Sequence, residues 1–212
     1  WHEIAYDDSG WKEGQAILGY GDPDRQRTPI NCGPDPACAS NNYVTTYFRH
    51  AFTMTDPSTV KSLDLRLLRD DGAVVYLNGQ EIFRSNMPAE SIAYDTLAAG
   101  VVNGDDETRF WQKTVSTAQL RAGVNVLAVE VHQASRSSSD VSFDLSLEAS
   151  PRPTLRLFQF DKEPLLMWDD TAFLLEQTAE LNNTAPWLVA AETCPMTLYL
   201  DGAQHFYRLR KK

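Results

Sequence analysis

The stretch Val141-Ser-Phe-Asp-Leu-Ser-Leu-Glu148 constrains the fold most strongly, because Val141, Phe143, Leu145 and Leu147 alternate with Ser142, Asp144, Ser146 and Glu148. A period of two puts the apolar set on one face of an extended strand and the polar set on the other, the pattern of a half-buried antiparallel strand. Val124–Val131 and Ala73–Leu77 are apolar on both faces for most of their length, as expected of central strands in a packed sandwich. Thr45–Met54 and Leu63–Leu68 add further strands. Asp71-Gly72, Asn78-Gly79, Asn103-Gly104 and Ala122-Gly123 separate these runs as turns. Asn78-Gly79 predicts a type I′ hairpin, because that turn needs positive φ at both central residues. One short helix is expected at Ser116–Arg121, with Ser116 as cap, Gln119 completing a capping box and Gly123 ending it.

Ser150-Pro-Arg-Pro153 divides the chain. Two prolines in four residues are expected to stop the ladder at Glu148 and to favour a stiff, extended spacer. The reading is therefore a domain over 1–149, a Pro-rich linker at 150–153 and a small β domain over 154–212. In the latter, Leu155–Phe160, Leu165–Trp168, Ala172–Gln177, Trp187–Ala190, Met196–Leu200 and Phe206–Leu209 read as strands. Turns are expected at Asp161–Pro164, Asn182–Pro186 and Asp201-Gly202. A unit this small is near the lower limit for standing alone, so it is expected to pack on the first domain or on a neighbouring module.

The 212 residues carry 19 Lys and Arg against 29 Asp and Glu, a formal net charge of −10. Such a surface repels phosphate backbones and anionic lipid heads, so nucleic acid and anionic membranes are not expected partners. No apolar run approaches the roughly 18 residues of a membrane helix, so no membrane insertion is expected. The sequence opens at Trp1 without an initiator Met or an apolar leader, and it reads as a mature or excised piece whose targeting segment is missing. Cys32 and Cys38 flank a loop broken by Gly33, Pro34 and Pro36. A disulfide between them is expected and suits an oxidising, extracytoplasmic compartment, two unpaired loop thiols being the alternative. Cys194, left over, is expected to be a buried free thiol.

Several segments together resemble a galactose-binding-like jelly-roll module of large secreted bacterial proteins. They are Leu18-Gly-Tyr-Gly-Asp22, Thr45–Arg49, Asp70-Asp-Gly-Ala-Val-Val-Tyr-Leu-Asn-Gly79, Phe83–Pro88, Gly123–Gln133 and Ser138–Asp144. The Asp70–Gly79 hairpin and the Gly123–Val131 strand also resemble the sugar-binding domain of β-galactosidases. Trp168, Leu175–Thr178, Trp187 and Phe206–Arg210 are similar to the immunoglobulin- or fibronectin-like modules that end many such chains. The resemblance implies an all-β chain, a jelly-roll β-sandwich followed by a small immunoglobulin- or fibronectin-like β-sandwich. It implies carbohydrate binding less directly, because the same fold also serves as a spacer.

No catalytic constellation stands out. The acids form no evident pair, the four histidines are scattered, and His50 alternates with Phe48 and Phe52 as a core or sheet-face residue would. Leu18–Asp22 lacks the Lys and the helix of a phosphate loop. Calcium is the one cofactor the residues suggest, since hard cations take oxygen ligands from acidic turns. Asp70 and Asp71 resemble the calcium-binding Asp-Asp of protective-antigen-type sugar-binding domains, while the plain alternative is that Asp71-Gly72 only makes a turn. Asp22 with Asp24, and Asp140 with Asp144, are further metal candidates.

For a glycan, Arg84, Asn86, Gln133 and Arg136 are the polar candidates and Tyr94 and Trp111 the aromatic ones. The alternative is that Arg84 and Asn86 pin the Ser85–Val102 loop. Trp11 is expected in the core. Asn182-Asn-Thr184 fits a glycosylation acceptor in an exposed loop. The sequence thus reads as a non-catalytic accessory module of a secreted or cell-surface protein, with a polysaccharide or glycan, or neighbouring protein modules, as partner. A structural role as spacer, adhesin or filament subunit competes with this, and so does the accessory end of a secreted hydrolase.

Overall fold

The computed structural model describes residues 1–161, 163–182, 184–198 and 203–212. It is an all-β chain in two units, Trp1–Pro151 and Arg152–Lys212.

The first unit is a two-sheet sandwich. Its strands are β1 (Leu18–Tyr20), β2 (Thr28–Pro29), β3 (Thr45–Met54), β4 (Val60–Arg69), β5 (Gly72–Leu77), β6 (Gln80–Ser85), β7 (Trp111–Val115), β8 (Gly123–His132) and β9 (Val141–Pro151). One sheet has the order β2-β1-β9-β4-β7 and the other β3-β8-β5-β6. Leu63, Leu65 and Leu67 of β4 meet Val75 and Leu77 of β5 and Val129 and Val131 of β8 in the core, joined from β9 by Val141 and Phe143, with Leu145 and Leu147 packed against them, the set the alternation selected. Asn78 and Gly79 both have positive φ, 53° and 86°, and the hairpin between β5 and β6 forms as expected. Phe48 and Phe143 stack across the sheets at 4.1 Å.

Three local expectations are corrected. The ladder does not stop at Glu148; β9 runs to Pro151, which pairs with Val60 across a bulge between Val60 and Ser62, a place where a strand tolerates proline. Residues 116–121 form no helix. Ser116 does cap, through Ala118 N–H, but the chain makes only a turn in which Leu120 N–H reaches Thr117 C=O. Short 3₁₀ turns occur instead at Pro57–Thr59 and Gly104–Glu107. Trp11 does not join the core cluster; it is half-buried, edge-on to Tyr6.

The second unit contains β10 (Leu155–Phe160), β11 (Glu163–Trp168), β12 (Phe173–Thr178), β13 (Leu188–Ala191), β14 (Met196–Thr197) and β15 (Phe206–Lys211). They form two three-stranded sheets, β10-β11-β14 and β13-β12-β15, around Leu166, Trp168, Phe173 and Leu175. The Trp168 indole N–H donates to Phe173 C=O at 3.1 Å. Cys194 is exposed, not buried, because it lies in the exposed run from Glu192 to Pro195, where its Sγ accepts Trp168 N–H at 3.3 Å. The expected Asp201-Gly202 turn and the last two residues of the expected Met196–Leu200 strand lie outside the described residues. So do Lys162 of the turn before β11 and Asn183 of the Asn182–Thr184 pattern, in which Asn182 is exposed.

Candidate functional site

The loops at one end of the first unit converge on Asp70 and Asp71, both buried, at the end of β4. The Asp71 carboxylate accepts Val102 N–H and Ala134 N–H at 2.7 Å each and the Ser138 hydroxyl at 3.3 Å. One side chain therefore fixes the loop before β7 and the loop between β8 and β9. Asn86 adds to this, its Nδ2 donating to Asp71 C=O at 3.0 Å and to Gly100 C=O at 2.7 Å. Gly72 is required here. A Cβ would lie 2.7 Å from Asn86 C=O and 2.9 Å from the Ala98 methyl, so the loop packs directly on the backbone.

Asp70 has a different environment. Burial, then the neighbouring carboxylates of Asp71 and Asp140, push its pKa from 3.8 up to about 8, so at neutral pH it is largely protonated. Beside it Tyr20 is pushed up to about 12, chiefly by burial, although Gln133 Nε2 donates to its hydroxyl at 2.6 Å. Asn42 Nδ2 donates to Ser138 C=O at 2.7 Å and Cys38 C=O at 3.1 Å, which ties this end to the Cys32–Cys38 disulfide that the structure forms. Arg69, buried at the end of β4, bonds Ser85 Oγ at 3.0 Å and lies over the Trp111 ring at 4.9 Å. Arg109 lies over the same ring at 4.5 Å.

The end is unusual in its unsatisfied groups. Among the described residues, six buried side-chain polar atoms lack a hydrogen-bond partner, and four belong here: Asn42 Oδ1, Gln133 Oε1, Arg69 Nη1 and Trp111 Nε1. Native interiors leave few such atoms, so a concentration of them asks for a cause. Asn42 Oδ1 and Gln133 Oε1 are neutral oxygen acceptors without donors, the type of atom a hard cation uses. No group of three or more His, Cys, Asp or Glu is placed to hold a metal among the described residues.

The candidates divide accordingly. Asp70, Asp71, Asn86, Gln133, Trp111 and Asp140 gather at this end. Tyr94, exposed, lies toward the outer face of the β3-β8-β5-β6 sheet, its C=O accepting the Thr45 hydroxyl, whereas Arg136, also exposed, rises from the loops of this end, its C=O accepting Asn42 N–H at 3.0 Å. Asp22 belongs to the same region, paired with Arg25 at 2.8 Å, and Arg25 in turn reaches Glu107 C=O at 3.0 Å. Asp24 is exposed beside it. Asp144 stands apart, bordering a cleft of about 970 Å³ along the open side between β3 and β9, which Phe48, His50 and Trp11 also line. Arg84 is held internally: it pairs with Glu81 at 2.7 Å and donates to the carbonyls of Pro88 and, at 2.9 Å, Glu90. Tyr20, Asn42 and Arg69 were not anticipated. Arg69 alone left a trace, as a charge closing an apolar strand.

A second polar cluster lies on the outer face of the β3-β8-β5-β6 sheet. Thr45 Oγ1 is 3.0 Å from His132 Nδ1, and His132 Nε2 is 3.3 Å from a Glu130 carboxylate oxygen. The arrangement looks like a hydroxyl–imidazole–carboxylate relay but cannot work as one. Nδ1 also lies 2.7 Å from Thr96 C=O, which can only accept, so Nδ1 carries a proton and cannot take the one from Thr45. Tyr76 donates to Glu130 at 2.6 Å, and His2 stacks on Tyr76 at 4.7 Å. The cover is strapped down by Arg49, which donates to the carbonyls of Trp1, Glu3 and Tyr6 and pairs with Asp8 at 2.8 Å.

No family model matches the sequence, and no curated protein matches it. Among solved structures, a Bacteroides uniformis β-glucuronidase is similar at 16% identity and a TM-score of 0.45, over 100% of this chain and 25% of its own. Bacteroides uniformis β-glucuronidase 2 is similar at 15% identity and 0.46, with the same coverage. A glycosyl hydrolase family 2 member from Bacteroides cellulosilyticus is similar at 12% identity and 0.43, over 98% of this chain and 28% of its own. The chain thus spans about a quarter of the length of these structures.

Proposed function

We propose that the chain is a non-catalytic, carbohydrate-binding accessory module of a secreted or cell-surface protein, and that the Asp70–Asp71 end of the first unit is its glycan site. The observation that supports this reading is the gathering there of four buried, unpartnered polar atoms, one of them on the half-buried Trp111 ring, close to exposed Arg136. A polar site of this kind recognises hydroxyls through fixed donors and acceptors, while an aromatic ring covers the apolar face of a pyranose.

A calcium ion at the same end belongs to this reading. Asp70, Asn42 Oδ1 and Gln133 Oε1 would hold it, and the ion would supply the positive charge that lets Asp70 ionise. Asp71, already bonded to two backbone N–H groups, positions the loops. The Cys32–Cys38 disulfide supports an extracytoplasmic compartment.

A glycan array probed with calcium and with EDTA tests the reading. Selective binding that EDTA removes is expected, and an array without selective binding refutes it.

One observation favours a structural role instead. The edge strand β10 exposes Leu157, Phe158 and Phe160, an apolar edge suited to pairing with another chain. Light scattering decides this: a monomer at every concentration removes the assembly reading.

A further inference from the structure

The two units differ in charge. Residues 1–151 hold 12 basic and 21 acidic side chains, whereas residues 152–212 hold 7 and 8, so nearly all the excess negative charge belongs to the first unit. In the second unit the basic residues concentrate at the end of the chain, where Arg208, Arg210 and Lys212 occupy alternate positions. Alternate residues share one face and stand roughly 7 Å apart along a strand.

This face is built, not merely charged. Glu176 of β12 is buried, and its two oxygens accept Arg208 Nε at 2.9 Å and Arg210 Nε at 2.5 Å. Those bonds hold its carboxyl below the ordinary range, with Arg210 contributing most. Arg208 also lies 4.1 Å from the centre of the Trp187 ring. The carboxylate and the indole hold the guanidiniums in place while about half of each arginine side chain, 49%, stays exposed. One carboxylate against two guanidiniums leaves a net positive face. Arginine forks held in this way lose little freedom when a carboxylate or sulfate arrives.

We propose that this face of β15, with Trp187 and Val189 beside it, binds an anionic polysaccharide through its carboxylate or sulfate groups. Charge complementarity selects the ligand: a neutral glycan has no use for two fixed guanidiniums. A flat face with evenly spaced cations suits a polymer with repeating charges, and exposed Val189 next to Trp187 suits the apolar faces of its rings. The site uses no metal ligand, so it acts independently of the Asp70 end.

The test uses the whole chain in EDTA, with polygalacturonate, heparin and neutral dextran as probes in affinity electrophoresis. Retention by polygalacturonate or heparin at low salt, its loss at high salt and no retention by dextran are expected. A triple variant, Glu176→Gln with Arg208→Gln and Arg210→Gln, neutralises the trio together and strands no buried charge. It should melt near the parent and bind about tenfold more weakly or worse, as expected when charge-assisted bonds are lost. Arg210→Lys keeps the charge and removes the fork, and should weaken binding several-fold even if the triple variant fails to fold. The proposal is overturned if neither polyanion retains the parent, if dextran retains it equally, or if the variants bind as the parent does. It is also overturned if salt-sensitive self-association appears without polyanion retention, which would give the face to the acidic surface of a second copy. Asp70→Asn should leave polyanion binding unchanged, so the two glycan readings fail separately.

Discussion

Replacing Asp70 by Asn should change how stability depends on pH. In the folded chain the Asp70 pKa lies near 8, against 3.8 for an ordinary aspartate, and burial is the main cause. The folded value is the higher one, so the unfolded chain releases this proton first as pH rises. The contribution is fully present below about pH 4, is lost progressively up to about pH 8, and is constant above that. Each pH unit in the interval is worth ~1.4 kcal/mol, which sets a ceiling of about 6 kcal/mol. Relaxation and water reaching a buried carboxyl soften such a penalty, so a smaller loss, of about 2–4 kcal/mol, is the working expectation. Asn is neutral throughout and its amide can still donate to Asp71. Urea unfolding across pH 5 to 9 should therefore show the parent losing stability toward pH 8 and Asp70→Asn staying nearly level, the more stable of the two at pH 8. Calcium at pH 8 should stabilise the parent and leave the variant unmoved. Equal slopes for the two proteins in the absence of metal would refute the assignment of a buried, protonated Asp70.

Leu65→Ala empties a fully buried position between the sheets of the first unit and should cost about 2–5 kcal/mol in denaturant unfolding. Cys32→Ser with Cys38→Ser opens a short loop and should cost about 2 kcal/mol by the chain-entropy relation, an effect that reducing agent should reproduce in the parent and not in the variant. Arg84→Ala removes the ties to Glu81, Pro88 and Glu90, and should lower stability by about 1–2 kcal/mol while leaving glycan binding intact; loss of binding at unchanged melting temperature would reverse that assignment.

The strands were legible because alternation is a local signal. Thr45–Met54, Leu155–Phe160 and the Asn78-Gly79 hairpin were read with the bounds they have. The errors came where tertiary pairing outweighs local preference. Pro151 stays in β9 because Val60 pairs with it across a bulge, and Ser116–Arg121 is too short for a helix to repay its nucleation, so it buries Leu120 from a turn instead. The candidate site was half legible. Asp70, Asp71, Asp140, Gln133 and Trp111 were singled out by residue type and turn context, and the fold brings them to one end. Asn42 and Tyr20 could not have been found, since their roles arise from contacts across more than ninety positions in sequence. Arg84 and Asn86 carry two readings in the sequence, ligand group or loop pin, because a polar side chain in a loop reads the same whether it faces solvent or its own backbone.

The Arg49 strap also bears on where this molecule could be trimmed. Its first eight residues contain no strand, and a fragment chosen by secondary structure would start near Leu18. Such a fragment would take away all four partners of a guanidinium whose side chain is only 3% exposed. It would also uncover the Tyr47 and Tyr76 rings and bring water toward Glu130. The irregular leader is thus an inseparable part of the sheet it covers, and a shortened chain should be expected to precipitate before it teaches anything about ligands.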